Sequence, residues 1–317
     1  MTQTRAASKK GPFQAVVTRN VQIGTCFWRM DLRFEGQGAR AFAPFRPGQF
    51  LQIDVADVAL PPAEKIPPEL RDGAARKVLL RRPFSFADVT PEGDVTMAEL
   101  LYCVLGPATL RMTTLAEDDT VSIIGPLGNG YWVPENKRTA LLVVGGMGVP
   151  PIRCLAKMLN ADHPNLETFA FVGGRTVGAL PLEGQLDGNA GELGFCVPAF
   201  TKYGIPSVLA TDDGSAGAQG FVTEHVARWL DANTERSRDE MIVYACGPEP
   251  MLAAVAKLAT ERDIDCQVSM ERRMACGIGL CQSCAIECRT EGSAETVYKL
   301  CCQDGPVFEG RQVIWNA

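Results

Sequence analysis

The stretch "MACGIGLCQSC" places Cys276, Cys281 and Cys284 four and two residues apart, with Cys288, Cys301 and Cys302 following. This is the C-x4-C-x2-C…C spacing of a plant-type 2Fe-2S loop. A binuclear centre needs backbone wrapped tightly round it with N–H groups aimed at sulfur, and Gly277 and Gly279 allow that close turning. Zinc is the rival, because C-x2-C also opens zinc knuckles, but a zinc site usually pairs two knuckles and a second is missing here. Three cysteines compete to be the fourth ligand. Cys302 is preferred because it precedes "QDGPVF", a turn-forming stretch that presents a thiol and reverses; Cys288 and Cys301 are then bystanders. The expected metal ligands are therefore Cys276, Cys281, Cys284 and Cys302. Cys26, Cys103, Cys154, Cys196 and Cys266 read as ordinary small apolar residues.

The other reading of twelve cysteines, a disulfide scaffold, fails on context. With 317 residues and 46% hydrophobic content, the chain supports two or three domains with real cores. No run has the length of a membrane span, and the opening "MTQTRAASKKGPF" lacks the apolar stretch of a secretion signal, so it is expected to be a short frayed tail. A cytoplasmic location is expected, where thiols stay reduced. A net charge of −6 without a basic run argues against nucleic acid or an anionic membrane as partner.

Up to about residue 135 the pattern is strands and turns. Trp28, Met30, Leu32 and Phe34 alternate with Arg29, Asp31 and Arg33, the period of a half-buried strand. "RPGQFLQIDV", "VTMAELLYCV" and "DTVSIIGPLG" are further strands, and together they predict a small antiparallel β-barrel over 10–135. Residues 56–77, with Pro61, Pro62, Pro67 and Pro68, read as a mobile inserted surface loop. From Arg138 strands alternate with helices: "TALLVVGGMGVPPIRCLAKML", "ETFAFVGGR", "GFVTEHVARWL" and "MIVYACGPEPMLAAVAKLATE". That order predicts a doubly wound α/β domain with a parallel sheet over 136–265. Residues 266–317 form a small C-terminal cysteine module.

Two glycine turns sit where α/β sheets collect ligands. In "VVGGMGVPPI", Gly145, Gly146 and Gly148 allow close backbone approach to a pyrophosphate at a helix N-terminus, and Pro150 or Pro151 suits the first helical turn. The motif is G-x-G-x-x-P rather than G-x-G-x-x-G, and Arg175 stands where an acidic residue would mark NAD, so NAD against NADP stays open. "YACGPEPM" sets Cys246, Gly247 and Pro248 at the end of another strand. In "LLRRPFSF", Arg82 and Ser85 can grip a diphosphate while Phe84 offers a ring surface, with Pro83 between.

Taken in order, "PGQF", "RRPFS", "GPLGNG", "VVGGMGVPP", "TDDGS", "YACGPEPM", "ERRMACGIGLCQSC" and "CQDGPVF" resemble the ferredoxin-reductase-like superfamily, and within it the electron-transfer subunits of NAD-dependent dihydroorotate dehydrogenases, over about 12–310. The resemblance implies an FAD barrel, an NAD domain and a 2Fe-2S tail. It assigns Arg82, Pro83, Phe84, Ser85, Leu101, Tyr102 and Cys103 to FAD. The family's G-x-G-T phosphate stretch is "GPAT" here, with Ala108 for the second glycine and Thr109 left to donate its hydroxyl. It assigns Gly145 to Gly148, Asp213 to Ser215 and Cys246 to Pro248 to the nicotinamide crevice, and matches Cys276, Cys281, Cys284 and Cys302 to the cluster ligands.

The same resemblance implies a chain of transfers from dihydroorotate, on a catalytic subunit with an FMN-bearing barrel, through the cluster and FAD to NAD+ in pyrimidine (UMP) biosynthesis, within a heterotetramer of two of each subunit. No catalytic acid–base set is found; His163 and His225, the two histidines, read as surface residues, which leaves the base for the partner chain. The alternatives are a ferredoxin- or sulfide-linked NAD(P) oxidoreductase subunit and a zinc-binding or redox-sensing regulator.

Overall fold

The computed structural model describes residues 10–186, 191–290 and 295–315. The alternating N-terminal region forms β1 (Gly11–Gln22), β2 (Phe27–Glu35), β3 (Phe50–Ile53), β4 (Arg82–Ser85), β5 (Asp88–Glu92), β6 (Val95–Cys103) and β7 (Thr120–Leu127). These strands make one antiparallel sheet in the order β4-β3-β7-β1-β2-β6-β5. Met30, Leu32 and Phe34 are sealed inside, as the period of two requires, whereas Trp28 at the strand's start is half-buried. The edge strands β4 and β5 do not pair with each other, so the curled sheet is a half-barrel open along one seam. Helix α1 (Gly36–Phe42) plugs it with Phe42, whose ring stacks on Phe34 at 4.1 Å.

The 56–77 segment carries two 3-10 turns and α2 (Arg71–Ala74) instead of strands, because its prolines lack ladder donors. The segment nevertheless packs against its neighbours. Ile66 and Ala74 are buried against Leu110 of α3 (Pro107–Met112), and Arg111 Nη1 donates to the Ala74 carbonyl at 3.3 Å.

The strand–helix region forms β8 (Thr139–Gly145), α4 (Val149–Asp162), β9 (Glu167–Gly174), α5 (Pro198–Thr201), β10 (Ser207–Thr211), β11 (Ala218–Gln219), α6 (Val222–Ala232), β12 (Met241–Cys246), α7 (Glu249–Glu261) and β13 (Asp265–Ser269). Along β8, Leu141 and Val143 enter one core while Leu142 and Val144 enter the other, which is why the strand is apolar throughout. The chain then leaves as a loop and the hairpin β14 (Ala285–Arg289) and β15 (Thr296–Leu300), and returns as β16 (Val307–Glu309). The sheet order is β11-β10-β9-β8-β12-β13-β16, parallel except for the last pair. The segment expected to start at 266 thus begins inside β13, and the cysteine region is an excursion between two strands of one sheet. Among the described residues no helix is long and apolar enough to cross a membrane.

Strand order reverses between β8 and β12, the switch point at which open α/β sheets form a crevice at their carboxyl ends. A buried ion network docks the half-barrel beside it. Arg153 of α4 is 4% exposed, bonds the Glu99 carboxylate of β6, and donates from Nε to the Ala87 carbonyl at 3.2 Å. Arg29 Nη2 joins Glu99 at 2.9 Å, so the carboxylate is shared between strand and helix.

Candidate cofactor sites

At the junction lies a cleft of about 670 Å³. Its lining includes Arg82, Pro83, Phe84 and Ser85 from β4, Leu101, Tyr102 and Cys103 from β6, and Ala108 and Thr109 from α3. Across from them stand Gly145, Gly148, Cys246, Gly247 and Pro248. Of the residues assigned to FAD and nicotinamide, Gly146 and the Asp213–Ser215 turn fall outside that lining. Asp213 instead accepts the Ser215 N–H at 2.9 Å, and Ser215 Oγ accepts the Val177 N–H at 2.9 Å, tying the turn to the loop after β9. Sequence reasoning missed Phe50, Leu105, Met270, Arg272, Met274 and Pro306, which also line the cleft. Phe50, Arg272, Met274 and Pro306 lie inside motifs the sequence marks, whereas Leu105 and Met270 lie just outside them.

On the half-barrel side, Arg82 Nη1 donates to the Leu80 carbonyl at 2.7 Å, which fixes the guanidinium at the start of β4. Tyr102 faces the barrel core and donates its hydroxyl to Asn20 Oδ1 at 3.0 Å; burial pushes that phenol up. Alternation gives the opposite face to Leu101 and Cys103. Cys103 Sγ lies 2.9 Å from Cys26 Sγ, and burial, then this pairing, pushes the Cys103 thiol up to about 12. These two are therefore a matched thiol pair rather than isolated packing residues. The Thr109 hydroxyl, expected to donate to a phosphate, accepts from the Leu105 and Gly106 N–H groups at 2.9 and 3.2 Å and donates to the Gly106 carbonyl at 3.2 Å. Ala108 packs into the barrel core, which accommodates its methyl without filling the cleft.

The two glycine turns pack on each other. Gly145 ends β8, a 3-10 turn spans Gly146–Gly148, and α4 follows with Pro150 in its first turn. A Cβ on Gly148 would overlap the Cys246 carbonyl oxygen, and one on Gly247 would lie 2.9 Å from Gly145 Cα. Glycine here thus serves the close approach of two backbones as well as that of a ligand. Burial pushes the Cys246 thiol up to about 12, so it meets the cleft as a neutral group.

Behind the cleft the cysteines fall into two pairs. The Cys281 N–H donates to Cys276 Sγ at 3.4 Å, while Cys302 pairs with Cys284 and takes the Gly279 N–H. Among the described residues no three His, Cys, Asp or Glu side chains converge as a single ion requires. Two thiol pairs fit a binuclear centre, whose four thiolates divide between two irons. Positive φ at Gly277 (68°) and Gly279 (91°) curls the loop so that its N–H groups point inward. Ser283, which sequence reasoning passed over, latches the loop: its Oγ accepts the Ala275 N–H at 3.2 Å and lies 3.2 Å from Cys281 Sγ. Its hydroxyl, then backbone N–H groups, hold the Cys281 thiol down at about 6. Burial and the neighbouring Cys284 push Cys302 up to about 12.

Cys301 and Cys288 are engaged elsewhere. Cys301 Sγ donates to the Met270 carbonyl at 3.1 Å, and Cys288 is sealed in β14 opposite Val297. Cys154, Cys196 and Cys266 are buried, as small apolar residues should be. His225 is buried on α6, not on the surface, and burial lowers its imidazole; His163 caps the end of α4. Neither lines the cleft.

The family model described as the iron-sulfur cluster binding domain of dihydroorotate dehydrogenase B matches residues 271–314, and that of the oxidoreductase NAD-binding domain matches 142–257. The chain is similar to the dihydroorotate dehydrogenase B (NAD(+)) electron transfer subunit of Caldanaerobacter subterraneus subsp. tengcongensis, 32% identical over 95% of this chain and 98% of the relative. It is also similar to the protein of that name from Geobacillus kaustophilus, 36% identical over 85% and 87%. Among solved structures, the NADH-dependent reduced ferredoxin-NADP oxidoreductase superposes with a TM-score of 0.69 at 26% identity, covering 95% of this chain and 90% of that one.

Proposed function

Because the chain belongs to the family of electron-transfer subunits of NAD(+)-dependent dihydroorotate dehydrogenase B, we propose that it takes electrons from dihydroorotate, oxidised on a separate catalytic subunit, through a 2Fe-2S cluster and FAD to NAD+ in pyrimidine synthesis. The observation that carries this reading is one shared cleft. It joins the Arg82–Ser85 strand, both glycine turns and Met270, Arg272 and Met274, the residues leading to the first cluster cysteine.

When bound, FAD supplies the conversion between hydride transfer with NAD+ and one-electron exchange with the cluster. The protein's own work is placement. Arg82 and Ser85 are suited to grip the FAD diphosphate, and Phe50, Leu101 and Met274 wall the ring site against water. The turn of Gly145 to Gly148 and the N-terminus of the fourteen-residue helix α4 suit the dinucleotide pyrophosphate. Cys276, Cys281, Cys284 and Cys302 would hold the cluster, two thiolates to each iron. With neither histidine in the cleft, the base that deprotonates dihydroorotate belongs to the catalytic partner.

That partner, an FMN-bearing barrel present in equal number in a heterotetramer, is proposed to dock over the cluster loop. Ile278 and Leu280 are exposed there, and Leu80 shares a groove with Ser283 at the loop's end. Exposed apolar side chains round a redox centre suit a permanent interface. A cytoplasmic location accords with twelve cysteines kept as thiols. Coexpression with the catalytic subunit, followed by an assay of dihydroorotate-dependent NADH formation, tests the whole reading. A complex fully loaded with flavin and iron that forms no NADH would overturn it.

A further inference from the structure

Strand β3 reads "FLQI", and its one polar residue, Gln52, is 1% exposed between Leu51 and Ile53. Its backbone neighbours are Pro83 of the flavin strand β4 and Ile124 of β7. Its Nε2 is buried and has no hydrogen-bond partner among the protein atoms. A sealed amide donor without an acceptor is rare in folded proteins, and each instance calls for an explanation. Alternation puts Gln52 on the same face as Phe50, which lines the cleft. The carboxamide, however, ends against the cluster loop: a Cβ built on Gly277 would overlap Nε2 itself. Gly277 directly follows Cys276 and has a φ of 68°, so the bare Cα of a glycine is what admits the amide at this point.

We propose that Gln52 is a positioning residue that donates a hydrogen bond from Nε2 to a sulfur at the Cys276 side of the 2Fe-2S cluster, linking the flavin-bearing sheet to the iron centre. The donor, otherwise orphaned, then meets an anionic acceptor. A hydrogen bond to cluster sulfur withdraws electron density and favours the reduced state, so it raises the reduction potential. The inference rests on the assignment of the four thiols and adds a residue outside the cysteine module to the setting of their potential.

The test is Gln52→Met in the complex with the catalytic subunit, which keeps the side chain's length and removes the donor. At a fixed potential, the reduced-to-oxidised ratio of the cluster, read by electron paramagnetic resonance, should fall about tenfold, equivalent to a downward shift of about 59 mV. Iron and flavin content should stay at wild-type values. A purely structural role predicts the reverse, lost iron or lowered melting temperature with an unmoved potential, and that result overturns the proposal. If the variant does not fold, wild-type complex labelled with ¹⁵N at glutamine side chains decides. A nitrogen hyperfine coupling to the reduced cluster is expected, and its absence overturns the assignment. Preparations that hold no iron at all would instead sink the reading of the thiols, and this proposal with it.

Discussion

The nucleotide crevice and the cluster loop stand at two ends of the same electron path, yet they are built in opposite ways. The crevice is made of backbone packed on backbone at the switch point of a parallel sheet, above cores of wholly buried aliphatic residues. The loop between Ser269 and Ala285 has no helix or strand, its Cys281 is exposed, and a few hydrogen bonds through Ser283 and Gly279 hold its shape. Metal binding would add to the stability of such a loop, because the free energy of binding is also free energy of folding. One site is preformed and waits for its ligand; the other is completed by it.

The largest expected effect isolates the loop. Cys281→Ser should abolish the visible absorbance of the cluster while flavin remains bound at one per chain, since nothing in the FAD half of the cleft depends on Cys281. Absorbance spectra and iron analysis check this, and an iron-replete variant would show that the ligand set is misassigned.

A second effect uses proton affinity. In iron-stripped protein Cys281, lowered to about 6, is a thiolate above that pH, whereas Cys302, raised to about 12, stays protonated until strongly alkaline conditions. The thiolate is the nucleophile, so iodoacetamide at pH 7 should label Cys281 by orders of magnitude faster than Cys302. Its labelling rate should rise through pH 6 and then level off. Peptide mass spectrometry reads both sites. Equal rates would mean that the stripped loop abandons this arrangement altogether, a sharper form of the same contrast.

The two regions also differ in what their residues announce. The strand–turn–helix runs around Gly145 and Gly247 reveal the crevice because parallel strands buried on both faces must be apolar throughout, and the cysteine spacing reveals the loop because ligand geometry is local. Pairings across long separations are invisible. Nothing near Arg153 predicts its carboxylate on β6, and nothing in "QDGPVF" predicts that Val307–Glu309 rejoins the parallel sheet beside β13. The contacts of the 56–77 segment are hidden for a related reason: its proline content speaks of the backbone, while its packing partners, Leu110 and Arg111, lie far along the chain. Nothing in the sequence shows Thr109 as the group that caps its own turn.

A smaller effect probes the preformed side. Gly148→Ala sets a methyl against the Cys246 carbonyl, where backbone on both sides resists displacement. Overpacking of this kind costs about 1–3 kcal/mol. The melting temperature should fall and the KM for NAD+ should rise, with cluster absorbance unchanged, because the strain lies at the β8–β12 switch point and not in the loop. A variant with wild-type stability and KM would mean that the turns are less tightly coupled than their backbones indicate.

The smallest effect separates two adjacent thiols. Cys301 and Cys302 differ by one position, and the turn between Leu300 and Gly305 sends their side chains to different places: Cys301 to the Met270 carbonyl inside the core, Cys302 to Cys284 and the Gly279 N–H. Cys301→Ala removes a single buried sulfur with its one weak hydrogen bond, a loss of about 1 kcal/mol by the scale of small core truncations. Two irons per chain and an unaltered visible spectrum should remain. The same change at Cys302 should empty the loop as Cys281→Ser does. Because Cys301 packs into the core and Cys302 turns to Cys284, this pair of variants places the boundary between the two kinds of construction at one peptide bond; loss of iron on removing Cys301 would move that boundary into the core.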